Sequence, residues 1–121
     1  MEDFPLATLY RQSPLNAIWE GSGNVIALDV LRAHKSLPVL LRDIKLAAGV
    51  HADLDSYIAA IEEDMSRGEY AVNALSPAAQ RGARNLSDRL AVAMQASILV
   101  RYGDRVVSAW YQKTTVVAIY H

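Results

Sequence analysis

Residues 76–103 read SPAAQRGARNLSDRLAVAMQASILVRYG, and their order decides the fold class. Ser76 offers a hydroxyl to a first-turn N–H, and Pro77 sits where its missing N–H costs nothing. Leu86, Leu90, Ala93, Ser97 and Val100 then recur at i, i+3 and i+4 steps until Gly103 breaks the pattern. The small Ala91, Ala93 and Ala96 permit close helix approach. A helix this long with one apolar stripe needs other helices against it, so the expectation is an all-α helical bundle.

The neighbouring segments agree. After Gly103, Asp104 can cap a short helix holding Val106, Val107 and Trp110. Before Ser76, a short helix is expected over residues 69–75. Asp53 is a plausible cap for a helix whose Leu54, Tyr57, Ile58, Ile61 and Met65 line one face, while Glu62, Glu63 and Asp64 form a solvated edge. Ser36 and Leu37-Pro38 open another helix, with Leu37, Leu40, Leu41, Ile44 and Ala48 at helical spacing until Gly49. Residues 23–34 carry Val25, Ile26, Leu28, Val30 and Leu31, a surface broad enough to be buried on more than one side. Pro5 and Ser13-Pro14 bracket a short helix around Leu6 to Gln12.

The end of the chain is different. Residues 114–120, TTVVAIY, are dense in β-branched and aromatic side chains, which favours extended chain. A frayed helix, a strand pairing with another chain and a sequence altered by a frameshift all fit this tail. The frayed helix is the preferred reading.

Composition narrows the function classes. The 121 residues are 52% apolar with a formal net charge of −1, as in an ordinary globular protein. Without cysteine, disulfides, thiolate zinc sites and thiol nucleophiles are excluded. His34, His51 and His121 have no metal-ligand spacing, so no metal site is expected. No apolar run reaches the roughly 18 residues of a membrane span, and the first residues lack signal-peptide order. The expected location is cytoplasmic, with no membrane partner.

The chemistry-bearing stretch is residues 18–25, IWEGSGNV. It sets Glu20 on a glycine-flanked turn before an apolar helix. Gly21 and Gly23 let a ligand approach the backbone closely, and the first N–H groups of the helix can cradle an anion. Read from the residues alone, a simple helix start with Ser22 or Asn24 as cap and Glu20 as a solvated charge is the favoured reading.

Trp19, Glu20, Gly21 and Ser22, followed by a helix, resemble the carboxy-terminal signature of the acyl-CoA dehydrogenase flavoprotein superfamily. With Gly23-Asn24 and the lead-in LYRQSPLN at residues 9–16, the stretch is most similar to the AidB-type, alkylation-response branch. The resemblance is carried by residues 9–33 and extends more weakly to about 102. It implies Glu20 as the base that removes the α-proton of an acyl-CoA thioester. It also implies Trp19, Gly21, Ser22 and Asn24 as contacts to FAD and its pocket. Asn24 is shorter than the usual polar residue there.

In that superfamily an amino-terminal helical domain and a β-domain precede the signature, so the resemblance implies a carboxy-terminal fragment. Residues 1–35 are then the flavin- and substrate-contacting turn and helix, and residues 36–121 a helical extension. The missing domains become partners, the fragment alone is inactive, and homo-oligomers are expected through its exposed helix faces.

The same branch implies an alternative, a helical module that binds double-stranded DNA or another protein. Residues 77–113 carry a formal surplus of four positive charges. Arg81, Arg84 and Arg89 are the candidate phosphate contacts. On a helix Arg89 lies about 80° from Arg81 and about 140° from Arg84, so the patch is loose. Asp88 and nearby acidic helices offer the arginines ordinary ion-pair partners.

Overall fold

The computed structural model describes residues 4–19, 21–67, 70, 73 and 75–120. Among them the chain is helical and no strand occurs. In order come α1 (Leu6–Gln12), a 3-10 turn (Ser13–Ala17), α2 (Gly23–Arg32), a 3-10 turn (His34–Ser36), α3 (Leu37–Ile44) and a third 3-10 turn (Lys45–Ala47). Then follow α4 (Ala52–Arg67), α5 (Pro77–Tyr102), α6 (Arg105–Tyr111), a π-helical segment (Gln112–Val116) and α7 (Val117–Tyr120).

Helix α5 is the hub, against which α2, α3, α4, α6 and the π-helical segment all pack. Its buried face is Ala79, Ala83, Leu86, Leu90, Ala93, Ala96 and Ser97, residues that recur every third or fourth position and so stack on one side. Alanines at four of these positions bring neighbouring helices close. Ser76 caps α5 as expected, its hydroxyl accepting the Ala79 N–H at 3.1 Å. Asp104 caps α6 by accepting the N–H groups of Val106 (2.8 Å) and Val107 (3.3 Å).

Three expectations need correction, and one open alternative is settled. Helix α2 buries only Ala27 and Leu31, so its apolar surface is covered on one side, by α5. Helix α3 ends at Ile44, not at Gly49, and the chain continues in tighter 3-10 winding. That advances each residue further around the axis, so Ala47 is buried and Ala48 exposed.

Asp53 is not a cap, because α4 already begins at Ala52. The preceding turn is held by Asp55, both of whose carboxylate oxygens accept the Gly49 N–H at 3.1 Å. Asp53 remains in the first turn, where a negative charge meets the positive end of the helix. Finally, the extended alternative for the tail is set aside in favour of the preferred helical one: residues 112–120 are helical. Val116 is fully buried in the core, and Thr114 donates to the Trp110 carbonyl at 2.9 Å. Burial of one helical face overrides the weak strand preference of β-branched residues. The helix expected over residues 69–75 falls mostly outside the described residues.

Candidate functional site

Helix α2 starts at the signature turn. Gly21 has φ +105°, a conformation that side-chain-bearing residues avoid and that glycine adopts freely. Ser22 occupies the cap position with extended backbone, but its side chain makes no capping hydrogen bond. The opening N–H groups of α2 are therefore not taken by Ser22. Glu20, the candidate base, lies outside the described residues.

Beside this turn a cleft of about 540 Å³ separates the first turns of α2 and α5. Its floor is apolar, from Ala27, Leu28, Pro77 and Ala83, and its rim is Asn24, Gln80, Arg81 and Arg84. The Arg84 guanidinium lies against Gly23, and a Cβ there would push the end of this flexible side chain away from the turn. Arg84 Nε also donates to both oxygens of Asp88 at 3.0 Å.

Trp19 lies elsewhere. It lines a second cleft of about 540 Å³ with Leu9, Gln12, Ser13, Leu15 and Asn16, and it is 58% exposed. The structure thus gathers Asn24, Arg81 and Arg84 around one cleft and puts Trp19 at another. In the sequence Asn24 and the arginines read as separate sites, since Arg81 lies 57 positions after Asn24 and only α2–α5 packing joins them. No local signal in the sequence could have found that pairing.

Arg89 joins neither cleft. It forms an ion pair with Asp64 of α4, and its guanidinium stands 5.9 Å from the Tyr57 ring centroid. Burial pushes the Tyr57 hydroxyl pKa up, while the Arg89 charge opposes the shift. Burial likewise raises Tyr70 and Tyr111. Among the described residues no group of three His, Cys, Asp or Glu side chains could hold a metal, and no helix is long and apolar enough to cross a membrane.

A stretch of 31 residues is 61% identical to the putative acyl-CoA dehydrogenase AidB of Escherichia coli (strain K12). Over that stretch the chain resembles an acyl-CoA dehydrogenase-like protein. The match covers 26% of this chain and 6% of the relative's length. No family model matches the chain, and no solved structure matches it.

Proposed function

We propose that this chain forms the carboxy-terminal, flavin-contacting part of an acyl-CoA dehydrogenase-like FAD oxidoreductase of the AidB-type branch, completed by amino-terminal and β-domains. The observation that carries the reading is the 61% identity over 31 residues to a putative acyl-CoA dehydrogenase. The residues suit the cofactor. Gly21 turns the backbone out of a side chain's way, Ser22 leaves the first N–H groups of α2 available, and Asn24 faces a cleft with Arg81 and the Asp88-paired Arg84 on its rim. An anionic dinucleotide fits such an edge.

Bound FAD would supply the hydride acceptor. Glu20 takes the α-proton of the acyl-CoA thioester onto a carboxylate oxygen. A dry pocket raises the pKa of such a carboxylate toward the working range. Hydrogen bonds to the thioester carbonyl stabilise the enolate charge as that proton leaves. Trp19, at the second cleft, packs toward the domain that completes the site.

DNA binding is the weaker reading. Arg84 is paired with Asp88 and Arg89 with Asp64, which leaves few cations on this face to displace phosphate counterions.

The test joins the chain to the amino-terminal and β-domains of a superfamily member. Glu20→Gln should keep bound flavin and lose acyl-CoA-dependent bleaching, and unchanged bleaching removes Glu20 as the base.

A further inference from the structure

A third cleft, of about 380 Å³, lies at the opposite end of α5 from the signature turn and owes nothing to the flavin reading. Val50 and His51 reach it from the turn before α4, Leu99 and Val100 from the last turns of α5, and Arg105 and Ser108 from α6. Ser108 is 4% exposed, yet its hydroxyl has no hydrogen-bond partner. Buried polar atoms in folded proteins are nearly always paired, so the unpaired Ser108 side chain in the wall of this cleft marks a place where a ligand's polar group belongs.

Arg105 supplies the charge. It makes no ion pair among the described residues. The adjacent Asp104 is directed to the N–H groups of Val106 and Val107. The remaining wall is aliphatic.

We propose that this cleft binds a small amphipathic carboxylate, with its head on the Arg105 guanidinium, its hydrocarbon chain against Val50, Leu99 and Val100, and the Ser108 side chain turning from its buried rotamer to donate its unpaired hydroxyl to the head. His51 flanks the head as a further donor. A phosphate dianion is the poorer occupant. It calls for several cations or free N–H groups, whereas here one guanidinium is present and Asp104 already holds the first N–H groups of α6. The volume lies in the range of small-molecule pockets.

The test titrates the folded chain with octanoate, octanol and inorganic phosphate, following amide shifts by NMR and heat by calorimetry. Octanoate should saturate and shift the amides of residues 50–51 and 99–108, with octanol and phosphate at least about tenfold weaker. Arg105→Gln should weaken octanoate about tenfold, while Lys35→Gln, a cation that lines none of these clefts, changes nothing. Ser108→Ala should weaken it severalfold without lowering the melting temperature, because the variant removes an unpaired buried hydroxyl. The proposal is overturned by no saturation up to about 10 mM octanoate. Equal affinity for octanol, or shifts confined to the Asn24 cleft, would overturn it as well.

Discussion

Arg89 illustrates why residue-level reading of charge has limits. In sequence it is one of several cations on a basic helix. In the fold its side chain is 15% exposed and paired with Asp64 across the α4–α5 contact, beside Tyr57. Nothing local to either residue announces that partnership.

Tyr57 gives the consequence that can be measured. Its pKa is raised by burial, against the opposing charge of Arg89, and Tyr70 and Tyr111 are raised in the same way. Below the ordinary tyrosine pKa of about 10 all three are neutral in both states and the folded state keeps its full stability. Above it the unfolded chain ionises first, so stability falls as pH rises through the folded-state values. Chemical denaturation at about pH 9 and about pH 11 should show this decline, and Tyr57→Phe should make it smaller. An unchanged decline contradicts the assignment to Tyr57. The signature residues are legible as residues, but their placement is not: Asn24 and Trp19, five apart, line different clefts.

The elements were the most legible level. The boundaries of α5, its Ser76 cap and the Asp104 cap of α6 follow from hydroxyl, carboxylate, proline and glycine chemistry at fixed positions. Where the reading failed, a tertiary contact or a change of helical winding had replaced a local preference. The tail was the ambiguous element because β-branched residues favour strands by small amounts; burying Val116 against the core, worth about 1.5–3 kcal/mol, outweighs that preference and holds the segment helical. The end of α3 was misplaced because 3-10 winding moves Ala47 inward.

The close packing of α5 has a sharp consequence. Ala96 is fully buried, so Ala96→Leu inserts a side chain where no space exists and should destabilise the fold by about 1–3 kcal/mol. Thermal or urea unfolding checks it, and an unchanged midpoint would mean that α5 is not the packed hub described.

On the scale of the whole molecule the features are arranged along α5. One end brings the Gly21 turn to α5 and creates the Asn24 cleft, the middle holds the core, and the far end carries the Arg105 cleft. Helix α1 buries none of its residues, and Phe4, Leu6, Leu9, Tyr10, Leu15 and Trp19 stay exposed. In the proposed reading this apolar arm is the side that meets the completing domains.

The helical class was readable from periodicity. The long-range assembly of the site was not, because it depends on which helix faces which, and that is decided by the small residues along α5 acting together.

The central claim is that the turn from Trp19 to Asn24 is one wall of a flavin pocket. It is tested most directly by replacing the corresponding stretch of a FAD-loaded acyl-CoA dehydrogenase with residues 9–33 of this chain and measuring retained flavin by its visible absorption after gel filtration. The account predicts a folded protein that stays yellow with stoichiometric flavin; a folded but colourless protein would contradict it.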